Sequence, residues 1–247
     1  VSKESIIIFG TPRSGTTALC HALSQVGYVN QCEALSRHAI EKTGRNIIAD
    51  VFTPDRVVIK ANILHTAIKE DGFESIEPIT GKQTIVWMQR DAKVRQAVSF
   101  AIAARTKVFA VFKRPPPFPF HEEYYILEDQ LEQHRTVRQQ LIKDENALMQ
   151  MAMRAVRHME FIRPHVVEQE DLFVKHGVSP LRITHESFFA DPKGAVKQIT
   201  GADLPEVDFI TVSQADDLND FLTDICEDVL SQGEKNDIQP SNGPTGS

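Results

Sequence analysis

Ser5-Ile6-Ile7-Ile8-Phe9-Gly10-Thr11-Pro12-Arg13-Ser14-Gly15-Thr16-Thr17 decides the fold. The first five residues are apolar and rich in β-branched side chains, so they read as a buried strand. Gly10 to Gly15 is a tight loop. Thr16 to Val26 then carries Leu19, Ala22, Leu23 and Val26 at helical spacing and ends at Gly27. A strand, a glycine loop and a helix in succession read as an anion cradle, the alternative being a plain glycine-rich turn beside a surface arginine. Glycines let the backbone fold back so that N–H groups converge, and the helix N-terminus adds a favourable dipole. The nucleoside-triphosphate form of this loop is G-x-x-x-x-G-K-[ST]. Here Thr16 occupies the lysine position, and Arg13 supplies a cation from elsewhere in the loop. A planar guanidinium suits a sulfate or phosphate carrying few charges and obliges no metal. The expected ligand is therefore an anion smaller than a nucleoside triphosphate.

Outward from the loop, strands alternate with helices. Val57-Val58-Ile59 and Thr84-Ile85-Val86-Trp87-Met88 read as strands, followed by helices over Ile63–Phe73 and Asp91–Lys107. Leu181–Thr184 is a fourth strand, with a helix over Gly194–Ile199. This alternation implies an α/β fold of P-loop type, with three layers around a central parallel sheet. Asn30 to Asp50 is polar and helical in part. Arg114 to Phe120 holds four prolines and must be extended, with no strand expected up to Leu181. Glu122 to His176 has a helical pattern and reads as an insertion at about 122–176, a lid or a partner-binding arm. Pro164 should break or kink it. One domain over 1–232 and a disordered polar tail over 233–247 complete the plan.

The bulk numbers fit. The 247 residues suit one domain, with 41% hydrophobic and 25% charged side chains. A net charge of −7 argues against broad nucleic-acid binding, although a few arginines in one cleft can outvote it. Cys20, Cys32 and Cys226 form neither a metal pattern nor a disulfide framework. No apolar run is long enough for a membrane span, and no signal-peptide pattern opens the chain, so a cytoplasmic protein is expected.

Two separated motifs carry a resemblance. Pro12-Arg13-Ser14-Gly15-Thr16-Thr17 follows the first strand, Arg90 closes the third, and Ser99 lies nine residues on, within Gln96-Ala97-Val98-Ser99 and ahead of Arg105-Thr106 and Val108-Phe109. These resemble sulfotransferases that use 3′-phosphoadenosine 5′-phosphosulfate (PAPS), and in particular the bacterial family typified by trehalose 2-sulfotransferase. The resemblance implies that Arg13, Ser14, Gly15, Thr16 and Thr17 hold the 5′-phosphosulfate and that Arg90 and Ser99 hold the 3′-phosphate. Read from the residues alone, the hydroxyls of Thr16 and Thr17 are equally helix caps, and Arg90 and Ser99 are equally surface side chains. The family's general base is a glutamate soon after the first helix. Glu33 matches, as the one carboxylate between residues 5 and 40; alternatively it is a first-turn glutamate favoured by the helix dipole. Ala34-Leu35 stands where the family has aromatics, which points away from trehalose as acceptor.

Lys60, at a strand end, is a candidate for the sulfate or the acceptor, or a snorkelling lysine. His65 is a weaker acceptor candidate. His121, His134, His158 and His165 are expected to be solvated. The expected reaction moves a sulfuryl group from PAPS to a hydroxyl of a carbohydrate or small alcohol, without a metal. A homodimer fits the family. The rival readings are a P-loop kinase or hydrolase and a non-catalytic nucleotide-binding protein.

Overall fold

In the computed structural model, which describes residues 4–31, 54–61, 82–117 and 124–237, the apolar run of the opening strand lies at the centre of a sheet. The five strands are β1 (Glu4–Gly10), β2 (Val29–Asn30), β3 (Arg56–Ala61), β4 (Lys82–Gln89) and β7 (Leu181–Thr184), in the order β2-β3-β1-β4-β7. Every pairing is parallel. All carboxyl ends therefore open on one edge, where ligands of open α/β sheets bind. A second sheet pairs β5 (Ala110–Phe112) with β6 (Tyr125–Leu127), also in parallel.

The two-residue period of the strands builds both faces. Ile6 and Ile8 join Val58, Val86 and Met88 in one core, under α1 (Thr16–Ser24) and α6 (Pro192–Thr200). Ile7 and Phe9 point to the opposite side with Val57, Ile59 and Trp87. That side is covered by α4 (Glu145–Lys175). Its Phe173 meets Phe9 and Trp87 edge-on, with ring centroids 5.2 and 5.3 Å apart. Its Gln169 accepts a 2.8 Å hydrogen bond from the buried Trp87 indole. Further back, Ala147, Met151 and Ala155 of α4 pack on Ala97 and Ala101 of α2 (Lys93–Thr106) and on Leu218 and Leu222 of α7 (Asp217–Asp237). Small residues at these positions let the helices approach closely.

Several expectations are corrected. The stretch between β4 and β7 does hold strands, β5 and β6. They are three residues each and pair with each other, and Phe112 adds an antiparallel bridge to the distant Thr211. The helical stretch is no detached arm, since α4 forms one layer of the domain. Its break falls at Lys143-Asp144, between α3 (Leu131–Ile142) and α4, where the Asp144 carboxylate accepts from the Ala147 N–H at 3.0 Å. Pro164 lies inside α4 without ending it. The proline is exposed, so the carbonyl it strands faces water, while Ile162 and Gln169 are buried on either side. The last helix runs to Asp237, five residues into the stretch expected to be disordered. Of the stretch 30–50 expected to be helical in part, Asn30 ends β2, and residues 32–50, like the helix expected over 63–73, lie outside the described residues.

Candidate active site

The loop after β1 has the shape its glycines require. A side-chain carbon on Gly10 would come within 2.7 Å of Ser14 Oγ and 2.9 Å of the Met88 carbonyl oxygen. Gly15 has a φ of 92° and caps α1; a Cβ there would meet Met88 Cε at 2.9 Å. Arg13 also takes a left-handed φ, 67°, without being glycine. Such a residue is held there only by its surroundings, and α2 supplies the hold. Arg13 Nε donates to Ser99 Oγ at 2.9 Å, and Nη1 donates to the Phe109 carbonyl. One helical turn before Ser99, the fully buried Gln96 donates through Nε2 to Thr11 Oγ1 and to the Pro12 carbonyl, both at 2.7 Å.

The loop forms one wall of a cavity of about 710 Å³ at the carboxyl edge of the sheet. Five cations line it: Arg13, Lys60, Arg90, Arg95 and Arg138. No carboxylate does, among the described residues. Behind the lining, Glu186, Asp220 and Asp216 meet Arg90, Arg95 and Arg138, and the excess of cations that face the space is, in a chain of net charge −7, a local field for an anion. The cations repel one another. Burial, then Arg90, then Arg138, bring the Arg13 guanidinium down to about 10, so it stays charged at neutral pH. Burial also lowers Arg90, against the opposing pull of Glu186 at 3.9 Å. Glu186 is itself fixed by the N–H groups of Asp91 and Ala92, at 3.0 and 3.3 Å. Burial would raise its pKa, but those amide bonds outweigh it and hold the carboxylate ionised.

The structure thus brings Arg13, Gly15, Thr16, Thr17, Lys60, Arg90 and Ser99 to one cavity. Ser14 is fully buried and does not line it; its hydroxyl has no hydrogen-bond partner among the described residues. Glu33 and His65 lie outside the described residues.

Sequence reasoning missed three residues. Gln96 stood within a quoted motif but had no role. His185 follows β7 as Lys60 lies near the end of β3, so the strand-end argument would have found it. Burial, then Arg90, hold its pKa at about 4, and its ring sits 4.6 Å from that of Phe189. Arg138, on α3, gave no signal. It is 3% exposed and bonded to Asp216 through Nε and Nη2 at 2.6 and 2.7 Å, with Asn219 Oδ1 at 2.5 Å.

Nor are the helix histidines solvated where they are described. His134 and His158 are buried, and His158 stacks on Phe100 with centroids 3.7 Å apart.

Comparison with known proteins adds a family. The family model described as Stf0 sulphotransferase matches residues 55–211, more than half of the chain. That span holds Arg90, Ser99, Arg138 and His185 and begins after the glycine loop. No curated protein matches. A crystal structure of a sulfotransferase from Alicyclobacillus acidocaldarius is similar at 16% identity and a TM-score of 0.42, covering 95% of this chain and 96% of that one.

Proposed function

The chain belongs to the Stf0 sulphotransferase family, and from that premise we propose that it takes the sulfuryl group from PAPS and transfers it to a hydroxyl of a carbohydrate or another small alcohol. The observation that carries the reading is the cavity beside a glycine loop, lined by five cations and, among the described residues, by no carboxylate. Its volume suits a nucleotide-sized ligand. Arg13 Nε meets Ser99 and Arg90 Nη1 lies 3.4 Å from the Arg13 carbonyl oxygen, so the loop and the segment leading into α2 present their cations to one space, which suits a donor with several negative charges. Thr16, at the lysine position of the triphosphate loop, disfavours ATP.

In this reading Arg13, the loop N–H groups and the hydroxyls of Thr16 and Thr17 bind the 5′-phosphosulfate. Arg90 and Ser99 bind the 3′-phosphate. Sulfuryl transfer needs alignment, neutralisation of the leaving phosphate, and a base for the alcohol proton. Guanidinium groups supply the neutralisation, so the reading needs no metal. Glu33 would take the proton from the acceptor hydroxyl, and Lys60 would neutralise the transferring group. Glu33 enters on the sequence alone.

Calorimetry with 3′-phosphoadenosine 5′-phosphate, against ATP with magnesium, tests the donor. Magnesium-independent binding to the wild type that is lost in Arg90→Ala is expected. No binding, or a preference for ATP with magnesium, overturns the reading. Glu33→Gln should keep that affinity and lose turnover.

A further inference from the structure

A second group of cations lies away from this cavity. The C-terminal turn of α2 and the middle of α4 enclose a groove of about 540 Å³, over a floor that includes Ala104 and Met151. Arg105 and Lys107 rise from the first wall, Arg154 and Arg157 from the second. All four are exposed, and no carboxylate lines the groove among the described residues. Among the described residues none of the four makes an ion pair. Arg154 and Arg157 are three residues apart, so they share a face of α4 and repel each other. The dipole of α2 accounts for cations at its C-terminus, Arg105 and Lys107. It does not account for a facing pair in the middle of α4.

The backbone adds a second observation. Among described residues, two that are not glycine have a positive φ, Arg13 at 67° and Lys107 at 63°. One is the cation of the glycine loop. The other ends α2, at a position that a glycine fills without strain and a lysine fills at a cost. Each cation stands in a cavity that no carboxylate lines among the described residues.

We propose that the groove between α2 and α4 is a second oxyanion site, for a ligand carrying two or more phosphate or sulfate charges. Unpaired guanidiniums in a concavity attract such a group against the negative charge of the whole chain. The site is independent of the donor reading.

The test is a calorimetric titration of the full chain with inorganic tripolyphosphate, after saturation with 3′-phosphoadenosine 5′-phosphate. One further binding event is expected. Arg154→Glu/Arg157→Glu should weaken it about tenfold or more. Arg105→Glu/Lys107→Glu, in the opposite wall, should do the same, and neither pair should alter nucleotide affinity. Should the nucleotide fail to bind, tripolyphosphate binding that Arg90→Ala spares and Arg154→Glu/Arg157→Glu weakens upholds the groove while the donor reading falls. No further event, or one that survives both double variants, overturns the proposal. Cosedimentation with phosphatidylcholine vesicles, with and without phosphatidylglycerol, separates the sources of the charge. Capture by anionic vesicles that Arg154→Glu/Arg157→Glu abolishes assigns a lipid head group. Tripolyphosphate binding without such capture assigns a free ligand.

Discussion

The two clusters of positive charge differ in how their cations are held. In the large cavity Arg13 is bonded to Ser99 and the Phe109 carbonyl, Arg138 to Asp216, and Arg90 faces Glu186. In the groove, Arg105, Lys107, Arg154 and Arg157 are exposed, with no carboxylate lining the space among the described residues. The first arrangement keeps guanidiniums in fixed directions, so little side-chain freedom is lost when an anion arrives. The second leaves that cost to the binding event. Geometric selectivity belongs to the first, and strong dependence on salt to the second.

The contrast can be broken most forcefully at Arg138. Arg138→Ala should lower stability by about 3 kcal/mol, the low end for a buried pair because Asp216 is a quarter exposed. Urea unfolding reads this as a shift in midpoint. Next comes Arg13→Ala, expected to weaken 3′-phosphoadenosine 5′-phosphate by about 2–3 kcal/mol in calorimetry; an unchanged affinity would show that its fixed direction is merely structural.

The wall between the clusters gives a smaller, pH-dependent effect. His158, next to Arg157, stacks on Phe100, which meets Phe109 of the large cavity. Burial, then His165, hold its pKa at about 4, against an ordinary 6.5. Between those values the unfolded chain binds protons that the folded chain does not, so stability falls as pH drops from 6.5 towards 4. Thermal melts should show this loss, and His158→Phe should reduce its slope. The smallest effect is at Arg157→Gln, where relief of repulsion should stabilise by about 0.5 kcal/mol or less without added anion, and lower the salt dependence of the melt.

The sheet was legible because β1, β3 and β4 hold short apolar runs and β7 alternates Leu181 and Ile183 with Arg182 and Thr184, and their packing agrees with that local pattern. β5 and β6 were not, since three residues carry no period. Pro164 misled for a related reason: its local bias is real, but burial on both sides of it overrides the bias. At the site, residues at or just past strand ends could be read from the sequence, as Lys60 was and as His185 could have been, while Arg90 came with the family resemblance. Arg138 could not, since nothing in Leu131–Ile142 distinguishes a helix arginine that faces a cavity from one that faces water. Nor could the placement of Ser14, whose neighbours in the motif line the cavity while its own side chain is buried.

Gln96 and Ser99 stand one turn apart on α2 and between them bind Thr11, Pro12 and Arg13. Backbone rise in a helix is fixed at about 1.5 Å per residue. The spacing from the glycine loop to Arg90 and the start of α2 is therefore set by a rigid ruler rather than by a deformable loop. Substitutions at Gln96 or Ser99 would free the loop from that ruler, whereas changes elsewhere on the cavity wall leave it in place.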